Sequence, residues 1–235
     1  TFTTMASETI TFGGDFTKSG GALTLNPTST ASFNSGTPTV TPTSAITFGN
    51  FKIESAVTVT LAGAISVAGD WTNNNGVLTP AGFTVTFEGE DGVGKYINGN
   101  TETTFSDVTF YNAAGSVLYT LDIDMTCANL NISNAYNANT INLTHGSTNP
   151  TLTVTADVNI YQPNTTTEER AWYINGGTAT IGDELIFTTG NSTADNIAKV
   201  IVNSGSLTVT GETKFDGTHT EDSNQLIALT GTGSI

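Results

Sequence analysis

The sequence predicts an all-β protein, a parallel β-helix (β-solenoid) with coils of about 22–28 residues and three short strands per coil. Three observations lead there. A unit of three apolar-x-apolar segments recurs at fixed offsets through the C-terminal half. Threonine accounts for 47 of 235 residues, and its β-branched side chain suits strands rather than helices. Glycine, 25 residues in all, falls with Asn and Asp between the apolar segments, where turns are needed.

The unit is clearest from residue 152 onward. Leu152-Thr-Val154, Val158-Asn-Ile160 and Trp172-Tyr-Ile174 form one copy. Ala179-Thr-Ile181, Leu185-Ile-Phe187 and Val200-Ile-Val202 form the next. Leu207-Thr-Val209, Thr213-Lys-Phe215 and Ile227-Ala-Leu229 form a third, and all three segments keep a step of 27 or 28. Upstream, Met125-Thr-Cys127, Leu130-Asn-Ile132 and Ile141-Asn-Leu143 follow Phe105, Val108-Thr-Phe110 and Val117-Leu-Tyr119 with a shorter step, 22 for the first two segments. In the N-terminal third a related motif appears as Ile10-Thr-Phe-Gly-Gly-Asp-Phe16, Ile46-Thr-Phe-Gly-Asn-Phe51 and Ile65-Ser-Val-Ala-Gly-Asp-Trp71, which does not phase into coils of constant length.

Strands stacked on their counterparts one coil later, about 4.8 Å along an axis, account for these steps. Period-2 alternation sends the apolar residues inward and leaves Thr, Asn and Ser outside, where they can form ladders between coils. The pairs Gly14-Asp15, Gly69-Asp70, Gly182-Asp183 and Gly211-Glu212 are expected at corners in left-handed backbone. One domain, 1–235, follows, with the N-terminal third less regular. Two Ig-like sandwiches would also show short alternating strands, but would not keep one offset over three successive strands.

The motif from Ile65 to Thr72, followed by Gly76-Val-Leu-Thr79 and Phe83-Thr-Val-Thr-Phe87, resembles the right-handed parallel β-helix repeats of prokaryotic cell-surface proteins and adhesins. The resemblance covers most of the chain and implies an extracellular solenoid. It implies little about function, because solenoids host lyases, adhesins and filament subunits alike.

Charge narrows the partners. A formal charge of −15, with six scattered cations, argues against nucleic acid and against anionic membrane surfaces. No apolar run approaches the roughly 18 residues of a membrane span. The single Cys127 has no intrachain partner and no cationic neighbour in sequence, so it is expected to be buried and inert. The chain opens at Thr1 without an initiator Met, as expected of a processed protein or a fragment, and its strand-like ending suggests a polypeptide that continues.

Chemistry is sparse. Acidic groups at Glu88, Glu90 and Asp91, at Asp122 and Asp124, at Glu168 and Glu169, and at Glu221 and Asp222 are the candidates for a structural calcium. The segment Glu168-Glu-Arg-Ala-Trp172 joins acid, base and aromatic on a long loop. With Tyr136 and Tyr161, Glu168 and Arg170 are the candidates for sugar contact, although Trp172 also falls on a core position. His145 and His219 are expected in loops without metal-like spacing, and no nucleophile triad, phosphate loop or dinucleotide fingerprint occurs. Four sequons, at Asn131, Asn142, Asn164 and Asn191, are candidate glycosylation sites, the last two in expected loops.

Neither end carries a helical or polar cap. Thr1, Phe2, Thr3, Thr4 and Met5 at one end, and Ile227, Leu229 and Ile235 at the other, are therefore the candidate subunit interface. The expected function is that of a non-catalytic extracellular protein, a subunit or stalk of a surface filament, sheath or adhesin, assembling head to tail with itself. The alternatives are a carbohydrate-binding adhesin module and, behind it, a polysaccharide lyase or hydrolase.

Overall fold

A computed structural model describes residues 2–20, 23–89, 92–112, 115–133, 140–163, 168–188, 197–216 and 224–235. These residues form 29 strands, no helix, and only parallel pairings. Each pairing joins a strand to the third strand after it, so the chain winds round a three-sided prism of about eight coils. The predicted β-solenoid is the observed fold.

The first face begins with the pair Phe2–Thr3 and Leu23–Thr24 and continues as an eight-stranded sheet from Thr47–Phe48 to Thr213–Asp216. The second is one ten-stranded sheet from Thr9–Phe12 to Asn224–Leu229. The third has four strands, from Phe16–Lys18 to Val77–Thr79, and then five, from Thr103–Thr104 to Ser206–Val209.

Registers match the predicted repeat in the C-terminal half. Leu152 pairs with Ala179 and Ala179 with Leu207. Ile160 pairs with Phe187 and Phe187 with Phe215. On the second face Ile174 pairs with Val202 and Val202 with Leu229. Coil length ranges more widely than predicted. The step from Phe48 to Val67 is only 19, and that from Leu143 to Trp172 is 29.

The N-terminal motif does not phase because its copies turn different corners. Ile46-Thr-Phe48 and Ile65-Ser-Val67 lie on the first face, and their aromatics Phe51 and Trp71 pair on the second. Ile10-Thr-Phe12 already lies on the second face, paired with Ala31-Ser-Phe33, and its Phe16 pairs with Val40 on the third. An apolar strand, a Gly-rich bend and an aromatic residue describe a corner, and any corner can use them.

The interior is one continuous apolar cluster from Ala31 to Leu207. Its N-terminal half is filled by stacked rings: Phe12 on Phe33 (5.1 Å), Phe33 on Phe51 (4.9 Å) and Phe51 on Trp71 (4.6 Å, 3° between planes). Each such pair adds about 0.5–1.5 kcal/mol beyond the area it buries.

Glycine at three of the four Gly-Asp or Gly-Glu corners, Gly69, Gly182 and Gly211, serves close approach and not left-handed backbone, whereas a Cβ on Gly14 would meet open space. None of Gly14, Gly69, Gly182 and Gly211 has positive φ. A Cβ on Gly182 would lie 2.3 Å from Thr155 O, and one on Gly211 2.5 Å from Asp183 O, in each case backbone of the preceding coil. The coil spacing leaves no room for a side chain pointing along the axis.

Four aspartates near the corners, Asp15 and Asp70 of the Gly-Asp pairs among them, have a defined task. Asp15 Oδ1 accepts from the Thr39 N–H (2.8 Å), Asp70 Oδ1 from Tyr96 (2.9 Å), Asp124 Oδ1 from Thr151 (2.7 Å) and Asp157 Oδ1 from Glu184 (3.1 Å). In each case the carboxylate caps a corner N–H one coil further on. Outer ladders between coils likewise run through amides, as from Asn175 Nδ2 to Thr144 Oγ1 (2.7 Å) and from Asn203 Nδ2 to Asn175 Oδ1.

Candidate functional site

The described sequence candidates fall along one long edge of the prism, at the corner between its second and third faces, and in its first and last coils. The edge joins the first face to the second. From residue 84 onward its linkers include 90–91, 113–114, 134–139, 164–167, 189–196 and 217–223, all outside the described residues. Asn164, Asn191, Tyr136, Glu90, Asp91, His219, Glu221, Asp222 and Thr1 lie outside the described residues.

Asn131 and Asn142 flank this edge on strands. Asn131, in Asn129–Ile132, points outward between Thr109 and Asn159. Asn142, in Thr140–His145, lies between Leu118 and Ala171, and its side-chain amide donates to Glu169 Oε1 (3.1 Å). That carboxylate also accepts from Tyr173 Oη (2.6 Å) and pairs with Lys199 Nζ (2.6 Å), whose ammonium lies 5.5 Å from the Tyr173 ring. Next to this network Val93, Tyr96 and Leu118 are exposed apolar residues that sequence reasoning did not single out.

Arg170 corrects an expectation. It lies on the strand Glu169–Ile174 with none of its surface exposed, so it is no surface contact for a sugar. The physical reason is alternation: Arg170, Trp172 and Ile174 share the inward side. Its guanidinium Nη1 donates to Tyr161 O (3.0 Å), tying the two strands that meet at the edge. Burial pushes its pKa down to about 10, against the pull of nearby Glu168. Glu168 itself accepts a hydrogen bond from Thr140 Oγ1, and Tyr161 is half-buried at a strand end.

His145 also departs from its expected loop. It ends the strand Thr140–His145, buried, with Nδ1 donating to Gly176 O (3.1 Å) and its ring 6.0 Å from that of Trp172. Burial lowers its pKa to about 4. Among the described residues neither His145 Nε2 nor Trp172 Nε1 meets a hydrogen-bond partner. Cys127 is buried as expected, its thiol pushed up to about 12 by burial.

A groove of about 470 Å³ runs beside Glu102, Asp122 and Asp124. Two of these carboxylates serve the fold, Asp124 as a corner cap and Glu102 as acceptor for Thr126 Oγ1 (2.6 Å). Among the described residues no three His, Cys, Asp or Glu side chains converge as metal ligands.

At the ends, Phe2 and Thr3 pair with Leu23 and Thr24, while Met5 is 71% exposed. Thr4 is turned inward: its Oγ1 donates to Ser29 Oγ (3.2 Å) and accepts from the Asn26 N–H (2.7 Å). At the other end Ile227 is half-buried over Val200, whereas Leu229 and Ile235 are 54% and 64% exposed. Phe215 belongs with them, 53% exposed on one side and stacked on Phe187 at 5.0 Å on the other. It was not singled out because its strand reads Thr-Lys-Phe-Asp, more polar than its counterparts; its register with Phe187 is the signal.

The chain matches no protein-family model, and neither a curated protein nor a solved structure is detectably similar to it.

Proposed function

We propose that this chain is a structural, non-catalytic extracellular module that stacks end to end on further copies of itself, as a filament, sheath or stalk does. The observation that carries the reading is the solenoid itself, parallel ladders on three faces round one apolar interior from Ala31 to Leu207, an architecture that extends by adding coils. In the last described coil Phe215, Leu226, Leu229 and Ile235 are exposed, and in the first Met5. Each end also offers strand edges whose N–H and C=O groups point along the axis, a template for another parallel strand.

A second copy is the occupant of the right size. The last coil, Val202 to Leu229, takes a step of 27, and the first, Ile10 to Ala31, a step of 21. Those values match the roughly 20–30 residues a side of a stable protein interface. A contact between unlike ends does not close on itself, so it yields fibres.

Sedimentation velocity with negative-stain imaging tests it. The intact chain is expected to form rods of increasing length with concentration, and removal of residues 224–235 to leave monomers of native far-ultraviolet dichroism. An intact chain that stays monomeric at all concentrations, or rods unaffected by the truncation, would refute the proposal.

A further inference from the structure

We propose that the second face carries a shallow binding site for the ring of a neutral sugar, at the hollow over Gly94 and Leu118. The site lies in the middle coils and is independent of the end-to-end reading above. It is marked by a glycine that the fold does not need. Gly94 has no positive φ, and a Cβ built on it would meet nothing nearer than Leu118 O at 3.9 Å. Gly69, Gly182 and Gly211, by contrast, have no room for a side chain. What the missing side chain at Gly94 leaves is a hollow of about 300 Å³, lined by Val93, Gly94, Ser116, Leu118 and Asn142 among others.

Register assembles these residues from three successive coils. Lys95 pairs with Tyr119 and Tyr96 with Thr120, so Gly94 falls opposite Leu118, and Tyr96 stands diagonal to Leu118. Leu118 pairs in turn with Asn142. Alternation turns Lys95, Ile97, Tyr119 and Leu121 inward and leaves Tyr96 43% and Leu118 44% exposed. Val93, just ahead of its strand, is 49% exposed. Among the described residues outside the first and last coils, these three and Val77 are the exposed large hydrophobic side chains, and Val77 stands alone on the third face. Three that share two neighbouring strands make a patch and not a scatter.

The lining selects the ligand. An aliphatic floor beside a tyrosine ring suits the C–H face of a pyranose, and the Ser116 hydroxyl and Asn142 carboxamide at the rim suit its hydroxyl groups. The described lining carries no charge, and Glu169, next to Asn142, is paired with Lys199 at 2.6 Å. A formal charge of −15 repels uronic acids and sulfated or phosphorylated sugars. An extended peptide finds no free strand edge, because Lys95–Gly99 is already paired with Trp71–Asn73 on one side and with Ser116–Leu121 on the other. The occupant of this chemistry is a neutral hexopyranose ring of a glycan.

Saturation-transfer difference NMR on the full chain tests this, with the methyl glycosides of glucose, galactose, mannose and N-acetylglucosamine as probes and that of glucuronic acid beside them. Transfer to the ring C–H protons of at least one neutral glycoside is expected, with at least tenfold less to the glucuronic acid derivative. Tyr96→Ala is expected to reduce the transfer at least fivefold, and Gly94→Val, which fills the hollow without backbone strain, to abolish it, each with native far-ultraviolet dichroism. Gly14→Val, at another glycine without positive φ whose added Cβ meets open space, is expected to leave it unchanged. No transfer from any neutral glycoside, or transfer that survives Gly94→Val, would overturn the site. Equal transfer to the glucuronic acid derivative would overturn the neutral class of ligand.

Discussion

His145 shows how much one inward position can demand of a side chain. It continues a column that holds Leu121 on one side, and the folded state accommodates it only without charge, with a pKa near 4 against 6.5 in the unfolded chain. Above pH 6.5 neither state takes up the proton. Between pH 6.5 and 4 the unfolded chain protonates and the folded one does not, so stability falls by about 1.4 kcal/mol per pH unit. Below pH 4 both protonate, and the loss levels off at about 3 kcal/mol. Replacing His145 by Leu should remove this component. Urea midpoints at pH 7 and pH 4.5 should then differ less for the variant than for the parent; equal differences would show that His145 does not titrate as its burial requires. Arg170 is the same lesson read backward. Alternation with Trp172 and Ile174 points it inward, but its charge and its neighbours in Glu168-Glu-Arg suggested a solvated loop. Periodicity was the better guide, because a guanidinium can be buried where a carbonyl such as Tyr161 O waits for it.

At the scale of strands and corners, acidity proves to be structural as well as solubilising. If the carboxylate of Asp124 acts as an acceptor for the Thr151 N–H, its oxygen matters more than its charge. Asp124→Ala should cost about 1–2 kcal/mol, the penalty for a corner donor left without its partner, and Asp124→Asn less than about 0.5 kcal/mol. Equal losses in chemical denaturation would point to charge instead. Corners also explain what was legible in the sequence. From Leu152 on, each corner recurs in the same place in every coil, so the constant offsets, 27 from Leu152 to Ala179 and 28 from Ala179 to Leu207, mark the faces directly. In the N-terminal third the same strand-Gly-Asp-aromatic pattern turns from first to second face at Gly69-Asp70 and from second to third at Gly14-Asp15. The motif was visible there, while its face depended on pairings that a local pattern does not encode. The exposure of Phe215 was not legible, because it arises from its place in the stack.

The molecule as a whole is one stack with a seam in a single face. Second-face steps are 20 or 21 up to Trp71 and 26 from Trp71 to Ile97, and there the third face breaks between Val77–Thr79 and Thr103–Thr104. The first- and second-face ladders run on unbroken, and on the third face, where no ladder joins those strands, buried polar side chains bridge the gap. Thr103 Oγ1 accepts from Trp71 Nε1 (3.3 Å) and from Asn73 Nδ2 (3.1 Å), and Asn73 Nδ2 also reaches Glu102 O (3.1 Å). In a solenoid each coil is stabilised by its neighbours, so weakening one interface divides the array into units that unfold separately. Thr103→Val keeps the shape and removes the acceptor, leaving the Trp71 donor buried and unpaired. The expected cost is about 2 kcal/mol, and calorimetry should resolve one unfolding transition of the parent into two. The transition that changes tryptophan fluorescence through Trp71 should then separate from the one that reports on Trp172, since the two residues lie on opposite sides of the seam. A single transition, displaced no further than an ordinary surface substitution would displace it, would locate the coupling elsewhere. It would mean that the apolar stack through Trp71 and Phe105, 4.9 Å apart, carries the coupling across the seam without these hydrogen bonds.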